Sequence, residues 1–322
     1  EQIKTTHHYM LQYLLEGIED PQREELHHKL LIDIWKVCDR LRHFLSMKYS
    51  QTQYAIACRQ SNQLASLSLL VEELESFADN LMILKLTDTR PESLQKELLA
   101  HEKKQEDLFF CVWTNIDWSA SEMQAATKAL HSEMLLPADL CLLLSAVTLS
   151  LQQSFDERKV AFVLQACNHP NVEVRIRALT CLLLTCHQYH NRIKHYADLS
   201  NQLMLMFDKS SIYRELEQIF LQMLQAQDTQ KVIKKIREEI IPEVMKNINE
   251  LRGLDANDEN DFNPEWGNMS PELDEQMRKM HELIMGGSDV YMGTFSMMKQ
   301  FPFFRSIAHW FLPRSEEHTS EL

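Results

Sequence analysis

Glycine is scarce in this chain: there are six in 322 residues, and none between Gly17 and Gly253. A sheet protein needs glycine and proline at its many turns. Long stretches here have neither, so the sequence predicts an all-α chain. The same scarcity excludes phosphate-cradling loops, since neither G-x-G-x-x-G nor G-x-x-x-x-G-K-[ST] occurs. Positive charge is short as well, with 33 Lys and Arg against 47 Asp and Glu, a formal net charge of −14. Such a surface repels phosphate backbones, so no nucleic-acid partner is expected. The most basic run, Lys231 to Arg237, has the i, i+3, i+4 spacing of a solvated helix face.

No C-x-x-C occurs among the seven cysteines, and their number is odd, which argues against a disulfide framework or a zinc ribbon. They sit in apolar helical runs and read as small buried hydrophobes of a reducing, cytoplasmic compartment. No basic-then-apolar leader opens the chain at Glu1. The longest apolar run, Leu140 to Leu151, is too short to span a bilayer and carries hydroxyls. It reads as a helix buried in the middle of an array, and no membrane contact is expected.

Catalytic signatures are missing too: there is no G-x-S-x-G, no H-E-x-x-H and no defensible Cys/His nucleophile arrangement. Cys186, His187 and His190 come nearest to a metal-ligand set, with i, i+4 and i, i+3 spacings on a helix. A zinc site needs three or four ligands and supporting partners, which this run does not supply. In the acidic stretch Asp255, Asn257 and Glu259 alternate as in a calcium loop. Asn260 stands where that loop wants glycine, however, and Trp266 where it wants glutamate. The expectation is therefore no metal, no cofactor and no catalytic residue.

What the chain does contain is one amphipathic segment after another. The pattern predicts helices over 3–17, 21–47, 52–85, 91–114, 119–132, 137–154, 156–168, 171–194, 197–207, 211–227 and 229–251. Pro21 and Pro91 take first-turn positions, with acids behind them. Ser119 and Glu122 have capping-box spacing, and Ser210 and Ser211 are caps for a later helix. Pro242 falls inside an apolar stripe, where the helix must kink or restart. Composition then shifts. Residues 1–252 read as a helical-repeat array and 253–270 as an acidic linker. Residues 271–313 read as the start of a second helical unit, with Leu273, Met277, Met280, Leu283 and Ile284 as its stripe.

The stretch "HPNVEVRIRALTCLLL" carries the most architectural information. Pro170 ends one helix and Asn171 caps the next. Val174, Ala178 and Leu182 then share a face, with Arg175 beside it, placed to pair with an acid on a neighbouring repeat. Pro170, Asn171, Val174, Arg175 and Ala178 resemble the second helix of a HEAT repeat. The preceding helix supplies Val160, Val163, Leu164 and Cys167, so the resemblance covers 156–187. It implies an α-solenoid-like array of antiparallel helix pairs of HEAT or tetratricopeptide type. The run around Pro137 and Asp139 is similar but lacks the Val-Arg pair, and no strict period is visible.

Near the end, "NPEW", "GGSDVYMGTFSMMKQFPFF" and "HWFLP", within 263–313, resemble a block of large bacterial proteins built from tetratricopeptide-like helical repeats. In those proteins the block leads into further helices, and the resemblance implies no particular activity. The last nine residues, "RSEEHTSEL" (314–322), match the translation of AGATCGGAAGAGCACACGTCTGAACTC, which resembles a widely used DNA-sequencing adapter. The expectation is a non-native tail on a second unit truncated near Pro313. Phe301, Phe303, Phe304, Trp310 and Phe311 would then be a docking patch for the missing part of the chain.

These readings favour a non-catalytic scaffold that offers a solenoid surface to a protein partner. A helical enzyme with a site assembled from distant residues is the alternative. A nucleic-acid-binding HEAT-like protein, similar to the helical-repeat DNA glycosylases, is a third reading that the acidic balance disfavours.

Overall fold

The structure is a computed structural model, and it describes residues 1–61, 64–87, 91–235, 238, 278 and 306–311. The described residues are mostly α-helical, with short turns between the helices, and include no strand. The helices are α1 (Gln2–Leu15), α2 (Arg23–Tyr49), α3 (Gln53–Gln60), α4 (Leu67–Thr87), α5 (Pro91–Thr114), α6 (Ala120–Leu130), α7 (Pro137–Gln153), α8 (Glu157–Ala166), α9 (Val172–Ile193), α10 (Ala197–Phe207) and α11 (Ser210–Lys235). A 3₁₀ turn covers Ile307–Trp310.

Local chemistry sets several of the helix starts. Ser119 and Glu122 form a complete capping box at the start of α6: Glu122 N–H donates to Ser119 Oγ at 3.3 Å, and Ser119 N–H donates to Glu122 Oε2 at 2.6 Å. Thr52, Asp156 and Asn171 cap α3, α8 and α9 by accepting first-turn amides. Pro137 opens α7, where its missing N–H leaves no bond unmade.

Two boundaries depart from the periodicity. The segment 52–85 is not one helix: it breaks between α3 and α4. Ser61 Oγ donates back to the Cys58 carbonyl, and Ser66 Oγ accepts the Leu69 amide at 3.4 Å, so two short hydroxyl side chains stop one helix and start the next. In the other direction, α11 continues through Asp228 to Lys235, where the sequence predicted two helices. Pro242 and the acidic stretch 253–270 lie outside the described residues.

By its contacts the chain divides into two compact units: residues 1–216 together with the segment from Ser306, and residues 217–305. Of the second, the structure describes 217–235, Glu238 and Arg278, which include the C-terminal part of α11.

Within the first unit the helices pack in an alternating order. α4, α6, α8 and α10 touch in sequence and make one row, while α5, α7 and α9 touch in sequence and make another. The rows meet where α4 packs on α5, α8 on α7 and α9, and α10 on α9. α7 is apolar on nearly every side, and eleven of its 17 residues are buried, as a helix enclosed between α5, α9 and α8 requires. α9 buries Val174, Ala178, Cys181, Leu182, Thr185 and Tyr189, a stripe at helical spacing. It leaves helical geometry at Tyr189, whose hydroxyl donates to the Leu151 carbonyl at 2.7 Å. α1 packs on α2 and buries no residue. All seven cysteines are free thiols. Among the described residues no helix is long and apolar enough to cross a membrane.

Candidate functional site

The α5–α7–α9 row carries a piece of the chain's own backbone. Residues Ser306–Phe311 form a tight turn, with His309 N–H donating to the Ser306 carbonyl and Phe311 N–H to the Ala308 carbonyl. In a 3₁₀ turn, side chains three apart eclipse each other. Ala308 and Phe311 therefore face one way: Ala308 has no exposed surface, and the Phe311 ring stacks on Phe109 of α5 at 5.7 Å and 18°. Ser306 and His309 form the second eclipsed pair. Ser306 Oγ donates to Glu106 Oε1 at 2.6 Å, and His309 Nε2 lies 3.3 Å from Glu102 Oε1.

α9 closes the other side. Arg177 Nη1 donates to the Phe311 carbonyl at 2.8 Å, to Ser145 Oγ at 2.9 Å and to the Cys141 carbonyl at 3.3 Å. One guanidinium thus ties α9, α7 and the turn together. Burial alone would push the Glu106 carboxyl up, but the Ser306 hydroxyl, the Lys103 ammonium and His309 hold it below its ordinary value. Chemically the site is an aromatic floor, an acidic rim along α5 and a fixed donor from α9.

Two buried polar groups lie nearby. On the inner face of α5, His101 stacks on Phe77 at 3.7 Å, and Gln105 Nε2 donates to Asp139 Oδ1 at 2.6 Å. His101 Nε2 is 3.3 Å from the same oxygen but off the hydrogen-bond line. This group ties α5 to the first turn of α7. At the end of α5, Lys159 is fully buried. Its Nζ donates to Ser150 Oγ at 2.7 Å and to the carbonyls of Asn115 and Val112, and it sits 5.3 Å from the Trp118 ring. Beside it Asp156 accepts the amides of Trp118 and Arg158, each at 2.8 Å.

Along the same edge Arg192 donates to Asp39 at 2.5 Å and Arg40 to Asp117 at 2.8 Å, and Asp39, Arg40 and Asp117 line a cavity of about 50 Å³. That volume is far below the several hundred Å³ of a small-molecule site. These charges are engaged with one another.

The sequence-derived candidates are distributed as follows. Asn171 accepts the amides of Glu173 and Val174 at 2.9 and 3.2 Å, while Val174, Ala178 and Leu182 are in the core. Arg175 makes a forked contact with Glu215 of α11 at 3.0–3.2 Å and also donates to the carbonyls of His169 and Pro170. His187 and His190 are exposed, and Cys186 is half-buried with its thiol pushed up to about 11 by burial. His190 Nδ1 faces the His187 carbonyl at 3.4 Å, not a shared metal position. Among the described residues no three His, Cys, Asp or Glu side chains are grouped to hold a metal ion. Phe301, Phe303 and Phe304 lie outside the described residues. Trp310 is 40% exposed, and Phe311 is half-buried.

The sequence reading did not single out Glu102, Glu106, Phe109 or Arg177. Arg177 had a signal: in "VRIRA" the two arginines flank the Val174–Ala178 stripe on opposite sides, so one serves each neighbouring helix. No family model matches the chain, and neither does any curated protein or solved structure.

Proposed function

We propose that this protein is a non-catalytic interaction scaffold, an α-solenoid of HEAT- or tetratricopeptide-like helix pairs that binds a protein segment on its α5–α7–α9 row. The observation that carries the reading is the packing order. Helices two apart along the chain are neighbours within a row, α4–α6–α8–α10 and α5–α7–α9, and that is how stacked helix pairs bury a continuous core. The stretch with HEAT-like sequence supplies one such pair, α8 and α9. Seven free thiols, several of them buried, are in keeping with a reducing, cytoplasmic setting.

The two rows offer two faces, and the reading assigns binding to the one that, among the described residues, accommodates the segment Ser306–Phe311. Photo-crosslinking tests this. A photoreactive residue replacing the exposed Lys103 of α5 should give a discrete protein adduct in the source cells. The same residue replacing the exposed Gln124 of α6, on the other row, should not. Equal labelling from both positions would sink the assignment.

A further inference from the structure

The geometry points to the α5–α7–α9 row as a receptor for a short turn of polypeptide of defined pattern, with Ser306–Phe311 as its resident, displaceable copy. The inference rests on the scaffold reading and adds the chemistry of the partner. The pattern is a hydroxyl and a base three residues apart, interleaved with a small residue and an aromatic three residues apart.

Two ladders meet in register. Three residues of a 3₁₀ turn rise about 6 Å, and four residues of an α-helix also rise about 6 Å. Ser306 and His309 therefore match Glu106 and Glu102, one turn apart on α5. Another face of the same turn buries Ala308 completely and stacks Phe311 on Phe109. Arg177 reads only a backbone carbonyl, so it fixes the depth of the turn and not its sequence. These contacts use four residues within six consecutive ones, as a linear motif does.

The occupant we assign is a foreign protein segment of this pattern with a basic residue at the His309 position. Charge argues for it. Glu102, Glu106 and Asp107 line one side of α5, and the Lys103 ammonium among them is held by Glu106 at 3.1 Å and Asp107 at 3.0 Å. A lysine or arginine in the incoming turn would meet Glu102 with a full, permanent charge. The resident histidine meets it with a charge that depends on protonation.

The experiment uses the full chain and a fluorescent peptide, FRSIAHWFL, copied from residues 304–312. In fluorescence anisotropy the A308R/F311A double variant, whose own turn can no longer seat, should bind the peptide at least about tenfold more tightly than the unaltered chain does, because the competing occupant is gone. A peptide with arginine in place of His309 should bind more tightly still. One with glutamate there should lose about tenfold, and the chain variant Glu102→Lys should reverse that order.

If the double variant binds no peptide while keeping its helical circular dichroism, the proposal is overturned. If the double variant does not fold, hydrogen exchange on the unaltered chain decides. The amides of His309 and Phe311 exchanging at least about tenfold faster than those of α7 support a displaceable turn, and equal rates make it a fixed part of the core. A concentration-dependent dimer of the double variant that excludes the peptide would assign the site to a second copy of this chain and overturn the foreign partner. The scaffold reading can fail separately, through the crosslinking contrast, even if the peptide binds.

Discussion

Lys159 has no exposed surface yet keeps three acceptors within reach: the Ser150 hydroxyl and the carbonyls of Asn115 and Val112. The carbonyls belong to the C-terminal end of α5, where a helix leaves carbonyls without amide partners and presents the negative end of its dipole. An ammonium there stands in for the missing amides. Burial pulls the amine down to about 8, against the opposing pull of Asp156, Glu122 and Asp117. At neutral pH the group still carries its proton. Between about 8 and its ordinary value of 10.5 the unfolded chain binds a proton that the folded chain sheds. The free energy of unfolding should therefore rise with pH across that window, and the burial penalty is present in full below it. Lys159→Met should flatten that rise and should also lower stability at pH 7 by about 2 kcal/mol, because the acceptors and Asp156 lose their cation. Urea titrations at pH 7 and pH 9.5 read both effects. An unchanged midpoint at pH 7 would mean that the cation is tolerated there and not used.

At the scale of the element, the capping box of α6 is a stop-and-start signal that works alone. Ser119→Ala removes the acceptor for the Glu122 amide and should cost about 1 kcal/mol in a thermal or urea melt. A loss below about 0.3 kcal/mol would show that the tie from Asn115 Nδ2 to Glu122 Oε1, at 2.5 Å, holds this helix start unaided. Signals of this kind made most of the helices legible in the sequence, because Ser119, Pro137 and Asn171 act within three or four residues of themselves. The break between α3 and α4 was not legible. The apolar pattern continues through it, and Ser61 and Ser66 are ordinary helix residues until their hydroxyls turn to the backbone. The turn site was half legible. The aromatic cluster near the end of the chain was conspicuous, but its counterparts Phe109, Glu106 and Arg177 lie 134 to 202 residues away from it. Periodicity reports which face of a helix is apolar, not which distant segment will cover it.

For the molecule as a whole, the alternating packing order predicts how damage spreads. In a stacked array each helix depends on its neighbours, whereas in a closed bundle every helix depends on all the others. Leu203 of α10 is 7% exposed and sits at one end of its row. Leu203→Ala should cost about 2–5 kcal/mol locally. In the full chain it should speed amide exchange in α10, α8 and α9 by well over tenfold while leaving α4 and α5 within about twofold of their original rates. Uniform acceleration across α4 to α10 would argue for one indivisible cooperative fold and against an array.

The place of Ser306–Phe311 in the chain also has a consequence in time. Arg177 and the carbonyl it grips are 134 residues apart, and Glu106 and Ser306 are 200 apart. At a synthesis rate of about 5–20 residues per second, the α5–α7–α9 row is complete on the ribosome for on the order of ten seconds before its resident turn has been made. Every newborn copy passes through that interval with the row bare, and a partner waiting at the ribosome would reach it without having to compete.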